Sequence, residues 1–529
     1  MNSLLILYAG NLSHQAFLQV FDKKNAFQMS VEQASQFPGV KKAVILIPSY
    51  ITDMPEFLIR ESIEFQIEQR DTWTKKGVLE IIASLQDGFD LSYFVFADCP
   101  FLDPVLAGAL AERHTRFAAE YSYADGFPYG LAPEILSSRT AAILVKILGD
   151  DDGPVERDML FSVIQKDINA FDIETEISQI DHRCHRISLS ADSKRNLLLL
   201  ENFYKAGGDK IPQAKDAEQI IEKQPEILRT LPVFYPVQVY GGCPQKCALC
   251  PYPLFADVIA NKNYMTCEKF ELLLDKIIDF SGDAVIDLSL WGDLSLHPEK
   301  MKLIEAVLSR RELSLVIETS GIGWKTDELE SAASVAKISR NKGNGAQNKF
   351  PSALSWIVSL DTTDSGRYLQ LRGAGFAEAE NCAKKLLSLF PDDCYVQAVR
   401  FRGSEDDTQK FYRYWKDASP KNEKNIIIQK YDDFCSVLEK KQASDISPVI
   451  RQCCWHIMRD FPVLIDGSVP LCREDLAYLK GEKEKILGNA FTESLEVIWR
   501  KGDKYYREQC KKNYPKLCEN CDEYYTYNF

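Results

Sequence analysis

Gly241-Gly242-Cys243-Pro244-Gln245-Lys246-Cys247-Ala248-Leu249-Cys250 follows a short apolar run, Pro236 to Tyr240, that reads as a β-strand. Three cysteines spaced C-x3-C-x2-C on a loop leaving a strand can point at one soft metal centre. Three thiolates satisfy three irons of a 4Fe–4S cubane and leave the fourth iron open to chemistry. A structural zinc site closes instead with four ligands, in paired C-x2-C spacing. The x3 spacing and the preceding strand favour the iron–sulfur reading.

Outward from that loop the chain alternates helices and strands. Glu268–Phe280 is an amphipathic helix with Phe270, Leu273, Leu274, Ile277 and Ile278 on one face. Ala284–Leu290 reads as a strand ending at Trp291-Gly292-Asp293-Leu294-Ser295-Leu296-His297, and Leu313–Ile317 as a strand ending at Glu318-Thr319-Ser320-Gly321. Ser355–Leu360, ending at Asp361, and Tyr395–Arg400 continue the series. Repeated βα units with polar residues after each strand predict a full or partial TIM-type barrel with its site at the strand carboxyl ends. His297, ahead of Pro298, reads as a turn residue. The polar run 340–349 reads as a mobile insertion.

These strand ends, after that cysteine loop, resemble the radical S-adenosylmethionine (radical SAM) family. The resemblance implies that Cys243, Cys247 and Cys250 hold the catalytic 4Fe–4S cluster. Gly292 and Asp293, with Trp291, stand where the family has Gly-Gly-Glu, whose backbone holds the SAM amino group. Thr319 and Ser320 sit where polar groups meet the ribose or methionine part, Ser359 and Asp361 match a Ser-x-Asp strand end, and Arg372 a following basic position. The sequence departs from the family at Leu249, a position usually aromatic, and at Trp291, Asp293 and Leu294. In such enzymes a reduced cluster breaks the SAM C–S bond and yields a 5′-deoxyadenosyl radical that takes a substrate hydrogen atom. A peptide or a sugar- or nucleotide-linked molecule is the expected substrate, with a low-potential electron donor such as flavodoxin or ferredoxin.

The tail holds Cys453, Cys454, Cys472, Cys510, Cys518 and Cys521, with an Asp466-Gly467 hairpin signal between apolar runs. Its Gly-x4-Cys element, Gly467 to Cys472, resembles the SPASM domain of peptide- and protein-modifying radical SAM enzymes. That resemblance implies one auxiliary 4Fe–4S cluster on Cys454 (or Cys453), Cys472, Cys518 and Cys521, with Cys510 a spare ligand or structural. Zinc in the same four cysteines is the alternative. Cys267, Cys382 and Cys435 read as scattered small hydrophobes.

The first third alternates strand-like runs (Leu4–Leu7, Lys42–Ile47, Tyr93–Ala97) with helical patterns (Glu32–Phe37, Gly77–Gln86), which predicts a Rossmann-like α/β domain. Asp98 at a strand end, Phe127–Glu134 and Ile187–Asp192 resemble the cytidylyltransferase-like, GT-A type nucleotidyltransferases. The resemblance implies that Asp98 and Asp192 bind magnesium. The stretch after the first strand, Ala9-Gly10-Asn11-Leu12-Ser13-His14-Gln15, has one glycine and no arginine where relatives wrap nucleotide phosphates. Ala132 and Asn196 replace further acids. A degenerate binding or docking domain is therefore expected. The combination of head, core and tail resembles the spirochaete-type SPASM proteins.

With 529 residues the chain exceeds one core. The expected division is 1–207 (nucleotidyltransferase-like), 208–235 (linker), 236–445 (radical SAM core) and 446–529 (SPASM-like). Fifteen cysteines in a long chain, with a formal net charge of −14, fit metal binding in a reducing compartment and disfavour nucleic-acid or anionic-membrane partners. Residues 1–10 lack a basic segment and read as a first strand, and no run has membrane-helix length, so a cytoplasmic protein is expected. Two other readings compete with the radical SAM enzyme: a nucleotidyltransferase of surface-polysaccharide biosynthesis with an iron–sulfur accessory, and a non-catalytic iron–sulfur or zinc scaffold.

Overall fold

The computed structural model describes residues 1–52, 54–259, 263–342, 353–443, 451–476, 486–519 and 521–524. It divides into two compact units, Met1–Thr230 and Leu231–Phe529. The polar run 340–349 lies outside the described residues from 343 onward.

The first unit is built on continuous apolar runs, as strands covered on both faces require. Strands β1 (Ser3–Tyr8), β2 (Val40–Pro48), β3 (Glu64–Arg70), β4 (Leu91–Phe96), β5 (Tyr121–Asp125), β6 (Glu134–Ser137) and β7 (Ile173–Ile177) form one sheet. Its order is β3-β2-β1-β4-β6-β5-β7. The β3-β2-β1-β4 part is parallel, and β6 lies antiparallel to both β4 and β5. Strands β1 and β4 are buried throughout, whereas β3, β5, β6 and β7 carry polar residues that broke the sequence signal. The stretch expected as a linker carries a helix, Ala214–Lys223, that buries Ala217, Ile220 and Ile221. Its first N–H, at Ala214, donates to Asp103 Oδ2 at 2.8 Å. Apolar spacing outweighed the charged composition there, so residues up to Thr230 pack as part of the first unit.

The second unit holds six parallel strands in chain order: β8 (Phe234–Pro236), β9 (Ala284–Asp287), β10 (Leu313–Thr319), β11 (Leu354–Ser359), β12 (Cys394–Arg400) and β13 (Ile426–Lys430). This is a half-barrel, with helices between the strands. The helix Cys267–Ser281 shows why: Thr266 caps its N-terminus, and Phe270, Leu273, Leu274 and Ile277 are buried at i, i+3, i+4, i+7 spacing. Each such side chain stabilises by about 1.5–3 kcal/mol on burial. Gly282, at φ +82°, ends the helix.

Two readings change. The strand before the cysteine loop is Phe234–Pro236 rather than Pro236–Tyr240. Beyond Val237 the backbone turns to other partners: Gln238 N–H donates to Val463 O at 2.9 Å, and Met265 N–H to Val239 O at 2.9 Å. The second is β13, a short apolar run, Ile426-Ile427-Ile428, that the sequence reading passed over.

The tail covers both edges of the half-barrel. At the β8 edge, Val233 N–H donates to Arg459 O, Phe461 N–H to Phe234 O and Val463 N–H to Pro236 O, at 2.8–2.9 Å. At the β13 edge, Lys430 Nζ donates to Asp522 O at 3.0 Å and to Glu523 Oε1 at 2.8 Å. A small antiparallel pair, β14 (Ser468–Pro470) with β15 (Ile486–Asn489), follows the Asp466-Gly467 turn. Gly467 there has φ +85°, which favours glycine.

Candidate active site

The cysteine loop is tied to neighbouring segments by its backbone. Lys246 N–H donates to Arg372 O (3.1 Å), Ala248 N–H to Leu371 O (2.8 Å), and Gly241 N–H to Asn263 O (3.0 Å). Asp293 N–H donates to Gly242 O at 2.9 Å. These bonds fix where the thiols point. Cys243, Cys247 and Cys250 line one cavity of about 240 Å³. The same cavity is lined by Gly292, Asp293, Thr319, Ser320, Ser359, Asp361 and Arg372. All seven residues that the resemblance marks for cofactor contact therefore meet the three cysteines, six from the ends of β9, β10 and β11 and Arg372 from the end of the helix Ser365–Leu371.

Asp293 organises one side. Its Oδ1 accepts from Ser295 N–H (3.0 Å) and Thr319 Oγ1 (2.9 Å), and its Oδ2 from Ser320 N–H (2.9 Å) and Ser320 Oγ (2.6 Å). Thr319 and Ser320 thus spend their hydroxyl protons on Asp293; Thr319 Oγ1 also accepts from Trp324 Nε1 (3.0 Å) and Gly321 N–H (3.2 Å), and Ser320 Oγ from Ile322 N–H (3.3 Å). Asp361 organises the other side: Oδ2 accepts from Arg372 at 2.7 Å and Oδ1 from Val399 N–H at 2.9 Å. Asp361 (φ +64°) and Trp291 (φ +49°) both hold left-handed backbone, as functional sites tend to.

The thiols suit a cationic cluster. Burial pushes Cys243 and Cys250 up to about 12, so as bare thiols they stay protonated. Iron supplies the charge that turns such groups into thiolate ligands. Burial also raises Cys247, and Arg372 opposes this. Two buried donors, Arg372 Nε and Trp291 Nε1, have no hydrogen-bond partner among the described residues, and both residues line the cavity. A carboxylate- and hydroxyl-bearing ligand such as SAM is of the kind that would satisfy them. Tyr252, Leu290, Trp291 and Leu464 pack against Cys243 and Cys250 and keep water from that side. Leu249 packs with Leu371, Phe401 and Tyr431 beside the cavity. His297 is pinned as a turn residue, with Nε2 on Met265 O and Nδ1 accepting from Glu299 N–H, both at 3.0 Å.

Asp287, Glu318, Gln397 and Arg473 line this cavity and also an adjoining one of about 480 Å³ inside the half-barrel. Glu318 Oε1 accepts from Ser359 Oγ (2.7 Å) and Gln397 Nε2 (2.8 Å). Burial raises Asp287 to about 6. No signal in the sequence marked Asp287, Gln397 and Arg473, because each is a single polar residue within or beside an apolar run, whereas Glu318 opens the polar end of its strand.

In the tail, Cys454, Cys472, Cys518 and Cys521 come together. Cys454 is raised by burial and by the charges of Cys521 and Cys518, and Cys472 by burial, Glu474, Cys454 and Cys521. Cys518 is pushed up to about 11 by burial and Cys521. Cys453 lies against Cys510, and both pack in the same cluster as Cys454 and Cys518. The structure adds Cys435, which lies beside Cys521 and lowers it. Phe434, Cys435 and Ser436 all have positive φ, at 52°, 56° and 69°. Position was the signal available for Cys435, just beyond the last strand of the half-barrel.

In the first unit Asp98 and Asp192 face one another across Arg157, not across open space. Arg157 Nη1 donates to Asp98 Oδ1 at 2.7 Å and its Nη2 to Asp98 Oδ2 at 2.5 Å. Asp192 Oδ2 lies 3.4 Å from Nη2.

The SPASM family, an iron-sulfur cluster-binding domain, matches residues 453–522. A half-barrel whose first strand leads into a C-x3-C-x2-C loop, in one unit with that domain, defines a radical SAM/SPASM enzyme. Iron–sulfur clusters and SAM are the cofactors of this class. The chain belongs to one family with an uncharacterized protein of Treponema pallidum (strain Nichols), 34% identical over 377 residues that span 70% of this chain and 98% of that protein. It is also similar to the Streptococcus suis protein SuiB bound to precursor peptide SuiA, at 15% identity and TM-score 0.39, over 59% of this chain and 74% of that one. A cytidylyltransferase from Leptospira borgpetersenii serovar Hardjo-bovis (strain JB197) is similar at 15% identity and TM-score 0.34, over 43% of this chain and 95% of that one. Among the described residues no helix is long and apolar enough to cross a membrane.

Proposed function

We propose that this enzyme cleaves SAM reductively at a cluster held by Cys243, Cys247 and Cys250, and modifies a peptide or a sugar- or nucleotide-linked substrate. One observation carries the reading: a single cavity runs from those cysteines past Asp293 and Asp361 to Arg473 and Glu474, the two residues that follow Cys472. When bound, the cluster with SAM supplies a 5′-deoxyadenosyl radical able to take a substrate hydrogen atom.

The chain's own residues do the rest. Gly292 lets the β9 end approach the cysteine loop; Asp293 aims Thr319 and Ser320 into the cavity; Arg372 brings a positive charge beside Cys247. The apolar wall of Tyr252, Leu290 and Trp291 excludes water, which a reactive radical requires. Asp287 and Glu318 on one side and Arg473 on the other offer both charges to a polar substrate. Cys454, Cys472, Cys518 and Cys521 hold the auxiliary 4Fe–4S cluster, and a flavodoxin- or ferredoxin-type protein delivers the electron.

Anaerobic reconstitution with iron and sulfide, followed by reduction with SAM, tests this. About eight irons per chain are expected for two 4Fe–4S clusters, together with 5′-deoxyadenosine. Persistence of SAM cleavage after Cys243, Cys247 and Cys250 are all changed to Ala would sink the reading. Peptide and sugar-nucleotide fractions should raise 5′-deoxyadenosine formation above the substrate-free rate; if neither does, the substrate assignment is wrong.

A further inference from the structure

In the first unit, the fold's nucleotidyltransferase likeness implies a magnesium ion between Asp98 and Asp192. A hard cation needs several carboxylate or water oxygens free to face it. Here every carboxylate oxygen of the pair already faces a donor. Asp98 Oδ1 and Oδ2 take both terminal nitrogens of Arg157. Asp192 Oδ1 accepts from Asn196 Nδ2 at 2.8 Å, and its Oδ2 faces Arg157. Asp98 meets the guanidinium in the bidentate fork that arginine favours, with Asp192 Oδ2 on the second nitrogen.

Arg157 also packs on two aromatic rings. Its Cζ lies 4.7 Å from the Phe96 ring centre and 5.4 Å from that of Tyr129, and Nη1 reaches Tyr129 Oη at 3.4 Å. Asp98 is 2% exposed. Two rings beside it and the carboxylates along its edge hold the guanidinium at Asp98, although the side chain stays about a third exposed.

The loop after β1 agrees. A methyl group at Gly10 would meet the Tyr8 phenol within 2.3–2.7 Å, so that ring fills the hollow beside Gly10. Asn11 Nδ2 donates to Val155 O at 2.9 Å and Ser13 Oγ to Ala191 O at 2.8 Å. The loop is thus fastened by its side chains to the segments that carry Arg157 and Asp192. Two carboxylates against one guanidinium leave the site net negative, which opposes a triphosphate.

We infer that Arg157 replaces the divalent cation of this fold, so the first unit binds neither a metal ion at Asp98 and Asp192 nor a metal–nucleoside triphosphate. The Asn196 and Ala132 substitutions fit the same loss of metal-dependent transfer. The cavity of about 340 Å³ that Arg157 borders, lined by Tyr121, Tyr123, Phe127, Tyr129 and Phe161, is then a metal-independent pocket.

Manganese is the probe, because its electron paramagnetic resonance signal reports free and bound ion without reference to SAM cleavage. Full-length, cluster-loaded, oxidised protein is titrated with Mn²⁺, with and without cytidine triphosphate. Wild type should bind no more Mn²⁺ than Asp98→Asn, with or without nucleotide. Arg157→Ala leaves two carboxylates without their counter-charge and should gain one Mn²⁺ per chain, in the range of about 10⁻⁴–10⁻³ M expected of weak carboxylate sites. Adding Asp98→Asn should abolish the gained site. Arg157→Gln, closer in size, serves if the alanine variant does not fold, and an unchanged iron content identifies folded protein. Manganese binding by wild type that Asp98→Asn removes overturns the inference, as does a folded Arg157 variant that gains none. If neither variant folds, the wild-type comparison with Asp98→Asn decides.

Discussion

A methyl group placed on Gly292 would stand 2.0 Å from the carbonyl oxygen of Tyr240 and 3.2 Å from that of Gly242. The end of β9 and the start of the cysteine loop are packed backbone to backbone, and Asp293 N–H completes the contact on Gly242 O. Gly292→Ala should therefore displace the cysteine loop, at a cost on the order of 1–3 kcal/mol or more. Iron analysis after reconstitution should show about four irons lost and the auxiliary four kept. Full iron content with unchanged thermal stability would contradict this packing.

Asp293→Asn tests the opposite face of the same contact. An amide presents one acceptor oxygen and one donor nitrogen where the carboxylate accepts from Ser295, Thr319 and Ser320. At least one of those donors loses its acceptor, and the Thr319 and Ser320 hydroxyls are freed to turn. SAM affinity, measured by equilibrium dialysis on reconstituted protein, should fall about tenfold, the effect of one charged hydrogen bond. Iron content should not change.

The tail separates ligand from neighbour. Cys472→Ala should remove about four irons per chain, whereas Cys435→Ser should retain about eight, because Cys435 is a neighbour of Cys521 outside the set of four. Mössbauer or iron analysis distinguishes them. Loss of four irons in Cys435→Ser would make Cys435 a ligand.

Glu134 gives the first unit a pH signature. Burial raises its carboxyl from 4.5 to about 7 even though Tyr121 donates a hydrogen bond to it. Below 4.5 both folded and unfolded chains carry it protonated, and no penalty exists. As pH rises from 4.5 to 7 the unfolded chain releases this proton and the folded chain keeps it, so stability declines. Above 7 the full penalty is present. Glu134→Gln should match wild type near pH 4.5 and melt at a progressively higher relative temperature up to pH 7, with a constant difference beyond. Parallel melting curves across pH 5–8 would refute the assignment.

Much of the candidate site was legible because it is assembled from short motifs at strand ends. Cys243, Cys247 and Cys250 are local in sequence, and a parallel sheet in chain order brings Asp293, Thr319, Ser320, Ser359 and Asp361 to one rim. Less legible were elements whose chemistry is diluted by polar residues, such as β5 to β7, and the packing of the charged helix Ala214–Lys223 into the first unit.

What the chain by itself determined is therefore the periodicity of its strands and helices and the spacing of its thiols, because both are set within a few residues by backbone geometry. Tertiary structure alone decided the partners. Arg157 reaches Asp98 across 59 residues of chain, and Cys435 reaches Cys521 across a longer span. Neither pairing has a local signature: each arises where packing delivers two distant side chains to one buried place, and there the cost of leaving a charge or donor unmet selects the partner.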